Sequence, residues 1–83
     1  MDIKIIGTKD CRGCSELKEH MDSIYPDTKY TYHDFKDINK DLRLVIREYL
    51  NTYSKTLPVI LVNNDIFTKT RIDFFNLIEG INC

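Results

Sequence analysis

Residues 2–7 read Asp-Ile-Lys-Ile-Ile-Gly, nearly all apolar apart from Lys4. A strand with one wet face alternates apolar and polar side chains; a near-continuous apolar run suits a short central strand covered on both faces. Helices must therefore lie on each side of the sheet that contains it. With 83 residues in all, the expectation is a single domain, residues 1–83, with a modest core of the kind that folds without staples.

The rest of the chain supplies those helices in alternation with further strands. After the loop Thr8-Lys9-Asp10, apolar residues recur from Cys14 at Leu17, Met21 and Ile24, one stripe of a helix whose other face carries Glu16, Lys18, Glu19 and Asp22. Pro26 marks its end. Lys29–Phe35 is rich in Tyr, Thr and Phe and reads as a second strand. Asp37 is the expected N-cap of a second helix burying Ile38, Leu42, Val45, Ile46, Tyr49 and Tyr53, with Asn51–Thr56 as polar loop. Leu57-Pro58 opens the strongest strand, Val59–Val62. Asn63-Asn64 makes a tight turn, since Asn tolerates positive φ, and Asp65–Thr68 returns as an edge strand. Thr70-Arg71-Ile72-Asp73 resembles a capping box ahead of a third helix through Phe74, Phe75, Leu77 and Ile78, with Gly80 as its stop. The order β-α-β-α-β-β-α predicts an α/β fold: a right-handed parallel first crossover, an antiparallel hairpin, and a mixed four-stranded sheet with helices on both faces.

Charge and cysteine usage narrow the function. The 30% of charged residues nearly cancel to a formal net charge of −1, which gives no pull toward nucleic acid or anionic membrane. No apolar run approaches the ~20 residues of a membrane span. The N-terminal stretch lacks the basic region and small-residue cleavage site of a secretory signal, so a cytoplasmic location is expected. Of three cysteines, Cys11 and Cys14 are three apart and Cys83 is the last residue. In a reducing compartment a close pair points to catalysis or metal rather than to a structural staple.

The pair falls where a strand hands over to a helix. Residues three apart at a helix start share a face, within reach of a disulfide after a small backbone adjustment. The free N–H groups of the helix N-terminus favour a thiolate at Cys11, the species that attacks a disulfide. Cys14, one turn in, is the resolving thiol, and Gly13 leaves room for a partner sulfur. Arg12 and Lys9 add positive charge and Asp10 opposes it. The competing reading is a zinc site, which needs two further ligands. The candidates His20, His33 and Cys83 do not have matching spacing, and no metal ligand is assigned. Cys83 is expected to be an idle thiol, and the five tyrosines packing residues.

Strand, Cys11-Arg12-Gly13-Cys14 and helix, followed far downstream by Thr56-Leu57-Pro58-Val59 ahead of an apolar strand, resemble the glutaredoxin branch of the thioredoxin-like superfamily, over nearly the whole chain in element order. The resemblance implies a cis peptide bond before Pro58, lying against the cysteines, and backbone hydrogen bonds from Leu57 to a bound peptide or to glutathione by strand addition. Two departures stand out. The dipeptide between the cysteines is Arg-Gly rather than Pro-Tyr. The Gly-Gly-Ser/Cys-Asp stretch that holds the γ-glutamyl end of glutathione reads Thr68-Lys69-Thr70-Arg71, with Arg71 where an Asp is expected. Lys9, Arg12, Leu57, Pro58, Thr70 and Arg71 are accordingly the expected substrate-binding residues around the catalytic Cys11 and Cys14. The implied activity is reduction of protein or mixed disulfides by a monomer with no tightly bound cofactor. Glutathione is its co-substrate, or a reductase its electron donor. The alternative is a non-enzymatic thioredoxin-like module that binds a partner protein beside Pro58. The pair of motifs favours the enzyme.

Overall fold

A computed structural model describes residues 2–81, residue 81 by its backbone alone. Its elements follow the expected order: β1 (Ile3–Gly7), α1 (Arg12–Ile24), β2 (Thr31–Asp34), α2 (Lys40–Thr52), β3 (Val59–Val62), β4 (Asp65–Ile66) and α3 (Arg71–Ile81). The sheet order is β2-β1-β3-β4. β1 pairs parallel with β2, Ile5 beside Tyr32, and antiparallel with β3, Ile5 beside Ile60. β3 and β4 form the antiparallel hairpin, and its turn residues Asn63 and Asn64 both take positive φ, 53° and 71°.

The apolar run of β1 divides its side chains between two cores. Ile3 and Ile5 join Ile60 under α1 and α3, where Leu17, Met21, Phe74 and Ile78 are buried. Ile6 joins Val59 and Leu61 on the opposite face, under Ile46 of α2, with Leu42, Tyr49 and Leu50 packed around it. Lys4 shares that second parity but ends in water, its Nζ bonded to the Asn64 side chain. Strand alternation alone assigns these sides.

Several boundaries depart from the sequence reading, each for a local reason. The N-cap of α2 is Asn39, whose Oδ1 accepts from the Leu42 N–H at 2.8 Å, and not Asp37. Asp34 folds residues 34–37 into a turn, its Oδ1 accepting from Lys36 N–H and its carbonyl from Asp37 N–H, so Asp37 is spent before the helix begins. α2 also runs on through Asn51 and Thr52, which were expected in a loop. Val45 and Tyr53 are exposed, at 53% and 63%; the side of α2 that meets the second core carries Leu42, Ile46, Tyr49 and Leu50 instead. Ile24 is exposed as well: the core side of α1 passes from buried Met21 to Tyr25, which packs against the first core in its place. β2 is shorter than Lys29–Phe35, although Phe35 N–H still reaches the Gly7 carbonyl at 2.7 Å. β4 stops at Ile66 rather than Thr68, where Phe67 turns its ring edge-on to Phe74. Gly80 does not end α3; its φ is not positive and the helix continues to Ile81. The capping box holds: Thr70 Oγ1 accepts from Asp73 N–H, and the Asp73 carboxylate accepts from both the N–H and the hydroxyl of Thr70.

Candidate redox site

Cys11 is the N-cap of α1, in extended conformation, and its sulfur accepts the Cys14 N–H at 3.2 Å. The two cysteines are joined as a disulfide with Cα atoms 5.2 Å apart. Cys11 is half-buried at the surface, whereas Cys14 has no exposure at all. The outer sulfur therefore meets a partner first, and the inner one is reached only through it.

Across from the pair, the Leu57–Pro58 peptide bond is cis. The Leu57 carbonyl oxygen lies 3.5 Å from Cys11 Sγ, so it can accept a hydrogen bond from that thiol once the disulfide is opened. Pro58 faces Gly13: a Cβ added there would lie 3.6 Å from Pro58 Cδ, an ordinary contact. Gly13 thus keeps the rim low without being sterically required by the fold.

Two residues that sequence reasoning left out complete the site. A Cβ on Gly7 would overlap the Tyr32 hydroxyl and sit 2.8 Å from both Cβ and Sγ of Cys14. Only glycine lets the strand end, the buried sulfur and Tyr32 meet at one point. The available signal was a glycine closing a strand otherwise made of isoleucines, a common mark of close approach.

The other expected residues separate into three places. Pro58, Thr70 and Arg71 line one groove of about 210 Å³ together with Lys55, Thr56 and Lys69. Arg12 is 93% exposed and its Nε donates to Glu16 at 3.0 Å along the surface of α1. Lys9 lies in a separate groove with Asp10, Asp34, Lys36 and Asp37. The histidines considered for zinc are engaged elsewhere, His20 stacked on Phe75 at 4.4 Å and His33 bonded to the Thr31 hydroxyl. Among the described residues no three His, Cys, Asp or Glu side chains gather as a metal would require, and Cys83 lies outside those residues. No helix among them is long and apolar enough to cross a membrane.

Compared by sequence, the chain matches no protein-family profile and no curated protein. Compared by structure, it is similar to crystal structures of the thioredoxin-like protein BC3987, at a TM-score of 0.55 and 17% identity over 92% of this chain and 97% of that one. It is also similar to the glutaredoxin grx-1 from Archaeoglobus fulgidus, at a TM-score of 0.56 and 11% identity over 93% and 84%. The fold is thioredoxin-like. Within this thioredoxin-like fold the two motifs, 46 residues apart between Cys11 and Leu57, close on one another because β1 and β3 are neighbours in the sheet. The loop after β1 carries the cysteines, and the segment entering β3 from the same end carries the proline.

Proposed function

We propose that this chain is a thiol–disulfide oxidoreductase in which Cys11 attacks and Cys14 resolves. The observation that carries it is the position of the Cys11 sulfur: on the N-terminus of α1, held by the Cys14 N–H, and facing the Leu57 carbonyl. A helix N-terminus favours the thiolate over the thiol.

In the reduced protein, the Cys11 thiolate attacks one sulfur of a substrate disulfide. That bond breaks, a Cys11–substrate disulfide forms, and the departing sulfur takes a proton from water. Cys14 then gives up its proton and attacks Cys11 Sγ, releasing the second substrate thiol. Two electrons have passed to the substrate and the Cys11–Cys14 disulfide remains, to be reopened by a thiol donor such as glutathione or by a reductase. The substrate chain lies against Leu57 in extended form, as in recognition by strand addition. Pro58, having no N–H, presents no donor toward the sulfurs.

The test is reduction of a mixed disulfide by wild type, Cys11→Ser and Cys14→Ser. Cys11→Ser should abolish turnover. Cys14→Ser should trap the Cys11–substrate disulfide, seen as an added mass. Undiminished turnover in Cys11→Ser would leave the groove as a plain protein-binding site and remove the enzyme.

A further inference from the structure

The groove beside Pro58 carries charge of one sign. Lys55 stands on its approach to β3, and Lys69 and Arg71 flank Thr70 at the start of α3. None of the three forms an ion pair with a described residue; the ion pairs there are Lys4–Asp2, Arg12–Glu16 and Lys18–Asp22. No carboxylate lines the groove. The Asp73 carboxylate is held on the Thr70 amide and hydroxyl. Tyr49, Ile60 and Phe67 give the groove an apolar lining, so a bound chain is partly desolvated and its charge is felt more strongly. The groove at the β1–α1 turn differs, mixing Asp10, Asp34 and Asp37 with Lys9 and Lys36.

We infer that the groove selects an acidic peptide: a disulfide-bearing segment of a protein substrate whose Asp or Glu side chains lie over Lys55, Lys69 and Arg71. Glutathione fits this charge less well. It carries an ammonium beside one of its carboxylates; no carboxylate lines the groove to form an ion pair with that ammonium, and Lys55, Lys69 and Arg71 repel it. An acidic peptide has no such group. The inference rests on the oxidoreductase reading for the disulfide alone; the preference for carboxylates stands on the groove itself.

The test uses disulfide-linked peptides of one length whose cysteine is flanked by Asp, Asn or Lys, with oxidised glutathione beside them. Reduction of the Asp peptide should exceed that of the Asn peptide by about tenfold at low ionic strength, the yield of a few partly exposed pairs, and the ratio should shrink toward one at high salt. Lys69→Glu/Arg71→Glu, checked for an unchanged circular dichroism spectrum, should reverse the order in favour of the Lys peptide. Equal rates for the three peptides, or oxidised glutathione reduced as fast as the Asp peptide, would overturn the inference. Serine-for-cysteine versions of the same peptides, titrated calorimetrically, separate the two claims. If the Asp peptide binds best but no peptide is reduced, the groove assignment stands and the enzyme reading fails. If reduction proceeds without charge preference, the enzyme reading stands and the groove assignment fails.

Discussion

The tightest constraint on a single residue falls on Gly7. Gly7→Ala drives a methyl into Cys14 and the Tyr32 hydroxyl, an overpacking that should cost about 1–3 kcal/mol in urea denaturation. Adding Tyr32→Phe should recover only part of it, since the Cys14 contact remains. Gly13→Ala is the contrast. Its new Cβ meets Pro58 at an ordinary distance, and exchanging Gly for Ala within a helix gains up to about 1 kcal/mol, so stability should hold or rise while disulfide reduction slows as the rim thickens. A Gly13→Ala protein as destabilised as Gly7→Ala would contradict this account of the two glycines. Both glycines sit plainly in the sequence, yet only Gly13 was legible as part of the site, because its neighbours in the chain are the cysteines. The role of Gly7 depends on Tyr32, which reaches it only through the pairing of β1 with β2.

Among the elements, caps and turns decide where each one begins. Thr70→Ala removes the hydroxyl that accepts the Asp73 N–H and should lower stability by about 1 kcal/mol in thermal or chemical denaturation. The entry to β2 carries a second, pH-dependent tie. The Tyr30 hydroxyl donates to Asp22 of α1, and this bond, with Lys18 adding to it, holds the Asp22 carboxyl below its ordinary 3.8 against a smaller opposing effect of burial. The stabilisation is present above that value and is lost as pH falls through the lower folded value. Burial first, and the bond to Asp22 second, push Tyr30 up to about 12, so the neutral hydroxyl supports the fold below pH ~10 and that support fades as pH rises toward 12. In Tyr30→Phe the Asp22 titration, followed by NMR, should move upward; an unchanged midpoint would mean another group sets it. The capping box, the Asn-Asn turn and the strand-to-helix start at Cys11 were all readable, since each is a local pattern with a local cause. The start of α2 was not. Asp37 and Asn39 are equally good caps in isolation, and only the turn made by Asp34 distinguishes them.

At the scale of the molecule, two small cores on either face of one sheet must hold the cysteine loop and the proline segment in register. A domain of this length has a stability of about 4–12 kcal/mol. Phe74 is fully buried where α3 meets α1 and β1, and Phe74→Ala should cost about 3–5 kcal/mol, read as a lowered midpoint in urea denaturation followed by circular dichroism. Ile46→Val on the opposite face removes one methylene and should cost about 0.5–1.5 kcal/mol. The two-faced architecture followed from β1 alone. Which helix covers which face did not, because it turns on strand order: placing β1 between β2 and β3 sends α1 and α3 to one side and α2 to the other.

The cap on α1 is a sulfur atom that the proposed chemistry would alter. A thiolate is a far better acceptor than a disulfide sulfur, so the amide proton of Cys14 would be gripped harder in the reduced protein. Its exchange with solvent deuterium should slow on reduction and its resonance should shift, while amides of α2, on the far face, stay where they are. One backbone proton thereby becomes an optical-label-free gauge of electron occupancy, read without substrate, coupling enzyme or added dye.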